Sequence, residues 1–153
     1  MQKARLHRAI LENSRAVYKI AMVILRNPDD ADDALQETFL QYFKKNPQFE
    51  SPEQERVWLI RCAVNVSKNM RRTIFRHSHE PLREEMAAPA PGTLPDLLFS
   101  LPLKDRMILQ LRYVEGYSAE EIAQMLHLSS ATVRKRLERA RNRAKTIYEK
   151  EYL

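Results

Sequence analysis

Residues 118–145, SAEEIAQMLHLSSATVRKRLERARNRAK, leave the chain the least freedom in choosing a fold. Ser118 followed three residues later by Glu121 is a capping-box pairing, which satisfies two orphan amide donors at a helix start. Ile122, Met125 and Leu126 give that helix its apolar stripe, and a turn around His127 leads to a second start at Ser129 or Ser130. From there Val133, Leu137, Ala140, Ala144 and Ile147 recur at helical spacing, so one face packs inward. The opposite face carries Arg134, Lys135, Glu138, Arg139, Arg141 and Lys145, an excess of nearly one sign. Two helices, a tight turn and a basic second helix are the layout of a helix-turn-helix that lies in a DNA groove. The alternative is a solvated, charge-rich surface helix, which explains the periodicity but not the one-sided charge.

The remainder of the chain is also helical in pattern. It has two glycines in 153 residues, no sustained alternation, and many Leu, Ala, Arg, Lys and Glu. A first helix is predicted over about 3–26, broken at Asn27-Pro28. A second starts at Pro28 or Asp29 with an acid-rich first turn, carries Leu35, Phe39, Tyr42 and Phe43, and stops before Pro47. A third opens on Ser51-Pro52-Glu53-Gln54 and turns Leu59, Cys62, Ala63, Val66, Met70 and Ile74 inward. Residues 77–94 hold three prolines and little periodicity and read as a flexible linker. A further helical unit begins near Pro95, with Leu103, Met107, Ile108 and Leu111 forming the helix before Gly116. The expectation is an all-α protein of two small domains, 1–76 and 95–153, joined by the linker 77–94, the second domain a helix-turn-helix.

The formal charge of +6 favours an anionic partner, and it is segregated. Residues 29–37 carry five acids and no base, whereas residues 56–76 carry six bases and no acid. Asp33, Gln36 and Glu37 share a helix face at i, i+3 and i+4. They are either a docking surface for a basic or polar partner or acids that simply favour the helix dipole. On the third helix Arg61, Asn65, Lys68, Asn69 and Arg72 combine base-bonding amides with phosphate-gripping cations, a mixture suited to groove or single-strand contact. Trp58 reads as core or a partly buried wedge, with base stacking as the alternative.

Several classes are excluded or disfavoured. No nucleophile elbow, phosphate-binding glycine loop or zinc pattern occurs, so neither an enzyme nor a cofactor is expected. His77 and His79 lack the companions of a metal site and read as linker. Cys62 is the only cysteine and lies on an apolar stripe, as a small buried hydrophobe in a reducing compartment. No signal-peptide pattern opens the chain, and the apolar run 16–25, interrupted by Lys19, is too short to cross a bilayer. A cytoplasmic protein with no membrane insertion is expected.

At these residues the chain resembles the bacterial RNA polymerase sigma factors of the extracytoplasmic-function (ECF) group. Asp30-Ala31-Asp32-Asp33-Ala34-Leu35-Gln36-Glu37-Thr38-Phe39 is similar to the family's polymerase-binding motif D-A-E-D-x-x-Q-E-x-F. Trp58-Leu59-Ile60-Arg61-Cys62-Ala63-Val64-Asn65 is similar to its W-L-x-R-I-A-x-N segment. Leu101-Pro102, Arg106, Leu111-Arg112-Tyr113, Gly116-Tyr117-Ser118 and Glu121-Ile122-Ala123 resemble the start of its second DNA-binding domain. Thr132-Val133, Arg136-Leu137 and Arg139-Ala140-Arg141 resemble its recognition helix. His127 and Ala131 stand where glycines are common in the family, and Asn69 where an aspartate is frequent.

The resemblance implies a protein that binds core RNA polymerase and directs promoter-specific initiation without covalent chemistry of its own. Asp33, Gln36 and Glu37 would meet the clamp helices of the β′ subunit. Arg61, Asn65, Lys68, Asn69 and Arg72 would engage the minus-ten element and an extruded non-template base. Ser130, Thr132, Arg134, Lys135, Arg136, Glu138 and Arg139 would serve the minus-thirty-five element while their domain meets the β flap. In that helix Arg134, Lys135 and Glu138 point outward toward bases, and Arg136 and Arg139 toward phosphates. An anti-sigma factor is a common further partner in this family. The competing reading is a helix-turn-helix regulator that binds DNA alone and never joins polymerase.

Overall fold

The structure is a computed structural model that describes residues 2–77 and 94–152. They form seven α-helices and one π-helical turn, with no strand among the described residues. The chain divides into two compact units, 1–85 and 86–153.

The first unit is three helices: α1 (Gln2–Leu25), α2 (Pro28–Lys45) and α3 (Pro52–His77). Arg26 leaves α1 with a left-handed φ of 56°. Asn27 then caps α2, its side chain accepting from the Asp30 amide at 3.0 Å, with Pro28 at the first helical position where a missing N–H costs nothing. Asn46 ends α2 in the left-handed conformation that asparagine tolerates, donating its N–H to the Tyr42 carbonyl. Val17, Ile20, Ala21, Ile24 and Leu25 of α1 meet Ala31, Ala34, Phe39 and Tyr42 of α2 and Leu59, Ile60, Ala63 and Val64 of α3 in one core. The small residues let the helix backbones approach. Each fully buried Leu or Ile contributes about 1.5–3 kcal/mol. Leu35, Phe43, Met70 and Ile74, placed inward by periodicity, are half-buried at the margins, as are Leu6 and Ile10 of α1.

The second unit contains α4 (Leu94–Ser100), α5 (Leu103–Leu109), a π-helical turn (Gln110–Val114), α6 (Ala119–Leu126) and α7 (Ser130–Tyr152). The pattern gave one helix before Gly116, but the chain forms two. The residue before a proline is pushed out of the α region, and Leu101-Pro102 therefore splits α4 from α5. The π turn is closed by the Glu115 N–H donating to the Gln110 carbonyl at 2.9 Å and the Tyr117 N–H to that of Leu111 at 3.0 Å. Gly116 takes a φ of 81°, and an added Cβ would meet nothing within 4 Å, so the requirement there is backbone conformation and not space. Leu98, Ile108, Leu111, Ile122, Met125, Val133, Leu137 and Ala140 make this unit's core.

The expected linker lies outside the described residues except for its ends: α3 continues through His77, and α4 starts at Leu94. His79 also lies outside them.

Candidate nucleic-acid and polymerase interfaces

On α2 the acids separate into two groups. Asp29 and Asp30 occupy the first turn, where they complement the helix dipole. Asp33, Gln36 and Glu37 lie beyond it and are all exposed. The dipole effect fades within one turn, so it does not account for them. Leu40, 44% exposed, extends the same stripe by one turn. Glu37 accepts from Gln41 Nε2 at 3.2 Å.

Beyond Gln41 the face of α2 turns toward α3, and the two helices flank a depression of about 350 Å³. Its lining includes Gln41 and Lys45 from α2 and Trp58, Arg61, Asn65 and Asn69 from α3. Pattern reading supplied the α3 wall but missed Gln41 and Lys45. Their signal was present, since 37, 41 and 45 share one helix edge. Arg61, Asn65 and Asn69 are exposed and Lys68 is half-buried. Arg72 is held back along its own helix, donating to Asn69 Oδ1 at 2.8 Å and to the Lys68 carbonyl at 3.4 Å. Trp58 is half-buried, forming wall and core at once.

Cys62 also lines the depression, and its Sγ donates to Gln41 Oε1 at 3.4 Å. Burial pushes its thiol above the ordinary cysteine range, and Glu37 adds to that against the opposing pull of Lys45. The shift favours the neutral thiol, in keeping with a small buried hydrophobe.

In the second unit the capping box is complete. Ser118 Oγ accepts from the Glu121 amide at 3.1 Å, and Glu121 Oε1 accepts from the Ser118 amide at 3.0 Å. His127 takes the left-handed turn position with φ 58°, and the Leu128 N–H donates to the Ala123 carbonyl at 2.8 Å. Of the two candidate serines Ser129 is the cap of α7: its Oγ accepts from the Thr132 amide at 3.1 Å and donates to Thr132 Oγ1 at 2.8 Å. Ser130 is the first helical residue. Val133, Leu137, Ala140 and Ala144 are buried, which turns Arg134, Lys135, Glu138 and Arg139 to solvent and leaves Arg136 half-buried. Arg134 is ion-paired with Glu120 in the first turn of α6, both side chains 59% exposed. Farther along α7, Arg141 donates to Tyr113 Oη at 2.8 Å and Arg143 to Asp105 Oδ2 at 2.6 Å. These two arginines brace α7 against α5 and the π turn. An apolar hollow of about 170 Å³ lies beside them, lined by Leu97, Leu98, Leu109, Tyr113 and Ala144.

Among the described residues no group of three or more His, Cys, Asp and Glu is gathered as metal ligands, and no helix is long and apolar enough to cross a membrane.

Two helical units, one with an acidic face and a basic groove, the other with a capped helix-turn-helix, define the class of the two-domain sigma-70 factors. Residues 9–75 match the family profile "Sigma-70 region 2" and residues 93–143 match "Sigma-70, region 4". Among curated relatives, the ECF RNA polymerase sigma factor SigM of Mycobacterium tuberculosis is 30% identical over 84% of this chain and 69% of its own length. The probable RNA polymerase sigma factor RfaY of Xanthomonas campestris is 31% identical over 88% of this chain, which spans only 38% of that protein. Among solved structures, the sigma factor RpoE of Bartonella quintana, crystallised with the anti-sigma factor NepR, has a TM-score of 0.74 at 22% identity. That match covers 95% of this chain and 97% of the other, and it speaks for the fold. The chain belongs to the ECF RNA polymerase sigma factors, a family of promoter-specific initiation factors that are in general not enzymes.

Proposed function

We propose that the first unit performs both polymerase docking and promoter opening, on two faces of the α2–α3 pair. Asp33, Gln36 and Glu37 take the β′ clamp helices, with Leu40 supplying an apolar contact. The depression between α2 and α3 holds a displaced base of the minus-ten element, with Asn65 pairing to its edge and Arg61, Lys68 and Arg72 tending the strand. The observation that carries this reading is the depression itself. Amides and cations converge on a hollow large enough for a nucleobase, one helical turn from an acidic stripe that the dipole does not explain. A stand-alone repressor needs neither feature.

The second unit reads the minus-thirty-five element through the N-terminal half of α7. Ser130 and Thr132 lie at the helix start, Arg134, Lys135 and Glu138 face the bases, and Arg136 and Arg139 flank the phosphates. The hollow beside Tyr113 is the place for the β flap. The chain performs no covalent reaction, acts in the cytoplasm with polymerase, and is restrained by an anti-sigma partner, as the solved relative is seen with one.

The test is promoter opening by the reconstituted holoenzyme, read as permanganate reactivity of minus-ten thymines. Asn65→Ala is expected to slow opening while sparing co-elution with core polymerase and minus-thirty-five binding. Normal permanganate reactivity with Asn65→Ala removes the base-pocket assignment. Failure of the wild-type chain to co-elute with core polymerase removes the whole reading in favour of a free regulator.

A further inference from the structure

Three buried polar side chains meet at the edge of the first unit's core, one from each helix, with Glu55 at the floor of a surface depression of about 270 Å³ that Arg5 and Arg8 also line. Asn13 of α1 is 2% exposed, Tyr42 of α2 2% and Glu55 of α3 7%. Tyr42 Oη donates to Glu55 Oε2 at 2.8 Å. Asn13 Nδ2 donates to the Ala9 carbonyl at 3.1 Å and lies 3.5 Å from Glu55 Oε1. Arg56 Nε donates to Asn13 Oδ1 at 3.4 Å. A buried carboxylate is expensive, and replacing such a network by well-packed apolar groups is often neutral or stabilising. Fold stability alone is thus a poor reason for it.

The network leads, through one ring, to the DNA-facing depression. The Tyr42 ring stacks with Phe49 at 6.3 Å and meets Trp58 edge-on at 5.9 Å, and Phe49 and Trp58 touch at 6.2 Å. The Arg5 guanidinium lies over Tyr42 and Phe49, 5.2 and 5.8 Å from their centroids. It also donates to Asn46 Oδ1 at 2.6 Å and to the Pro47 carbonyl, pinning the segment that joins α2 to α3. Trp58 in turn is part of the wall beside Arg61 and Asn65.

We propose that Glu55 is a positioning residue for strand opening: by holding the Tyr42 hydroxyl, it sets Phe49 and Trp58, and with them the wall of the α2–α3 depression. The proposal rests on that depression being the strand-holding site. Glu55 never touches DNA. It acts through Tyr42, and the ring cluster converts one buried hydrogen bond into the shape of the wall.

Trp58 is the chain's only tryptophan, so its fluorescence reports on the wall without labelling. Tyr42→Phe removes one oxygen and keeps the ring. Acrylamide quenching of Trp58 in this variant is expected to exceed that of the wild type. Opening by the holoenzyme is expected to slow roughly two- to tenfold, the range for losing one buried hydrogen bond. Co-elution with core polymerase and minus-thirty-five binding are expected to hold. Glu55→Gln, which retains an acceptor for the tyrosine, is expected to open faster than Glu55→Ala. Asn65→Ala runs in parallel. If Asn65→Ala is slow while Tyr42→Phe opens at the wild-type rate with unchanged quenching, the positioning role is overturned and the groove survives. If Asn65→Ala opens normally, the groove reading fails and the proposal fails with it. If Tyr42→Phe loses core binding in the same proportion as opening, the network serves the fold alone and the proposal is overturned.

Discussion

Arg134 projects from the N-terminal half of α7, where the rear face is fixed by Val133 and Leu137 and leaves the guanidinium no route inward. Its direction was legible from helical spacing. Its pairing with Glu120 was not, because the two are joined only by the angle at which α6 meets α7. An exposed pair of this kind adds at most about 1 kcal/mol to stability, so it does not bar the arginine from guanine. Arg134→Ala is expected to cost about 1–3 kcal/mol of binding at one base position. Arg139→Ala is expected to weaken all sequences alike, because phosphate contacts carry no sequence information. Affinities of both variants for a panel of single-base minus-thirty-five substitutions decide this. Uniform losses from both would mean Arg134 reads no base. Glu55 and Asn13 went unread for a different reason: charge and amide are ordinarily taken as outward. Yet Glu55 lies four residues before Leu59 and Asn13 four before Val17, in register with the buried stripes. A polar residue in an apolar register was the signal, and it needed only a partner on another helix.

The helices themselves were largely legible because their ends are chemical. Asn27-Pro28, Ser118 with Glu121, and Ser129 each bond backbone donors as their types require. At Ser51 the expected cap forms, with Ser51 Oγ accepting from the Gln54 amide at 3.2 Å, but Gln54 Oε1 reaches the Glu50 amide at 3.0 Å instead of that of Ser51. The π turn had no local signature at all. It is set by how α5 must hand the chain to Gly116 while Leu111 and Tyr117 stay buried. An exposed face, unlike a cap, is legible as a pattern but silent about its partner, and here mutation separates the possibilities. Asp33→Arg lies past the first turn of α2 and is exposed, so its effect on stability is expected within about 0.5 kcal/mol. Reversing that charge is expected to weaken assembly with core polymerase severely. Thermal unfolding and gel filtration with core enzyme measure the two effects separately, and retained co-elution removes this face from the interface.

For the molecule as a whole, the two units imply a division of labour that neither performs strongly alone. The three prolines and missing periodicity of residues 77–94 made the two-unit plan legible, and segregated charge added that the acidic stretch at 29–37 calls for a partner other than the anionic one the basic residues favour. What composition could not give is affinity, which depends on how many contacts are made at once. If α3 and α7 each supply a few phosphate contacts, each set is weak by itself, and a scaffold that holds both units at their elements makes the second contact intramolecular. Core polymerase is that scaffold in this reading. The isolated chain is therefore expected to bind duplex promoter DNA weakly and with steep salt dependence. If about six phosphates are neutralised, log affinity falls with log salt at a slope near −5. The holoenzyme is expected to bind the same promoter far more tightly, because polymerase adds contacts and presents both units together. Fluorescence anisotropy of labelled promoter DNA against salt, with and without core enzyme, measures both quantities. A tight, salt-insensitive complex formed by the chain alone would place recognition in the chain itself and assign the acidic face of α2 to some partner other than polymerase.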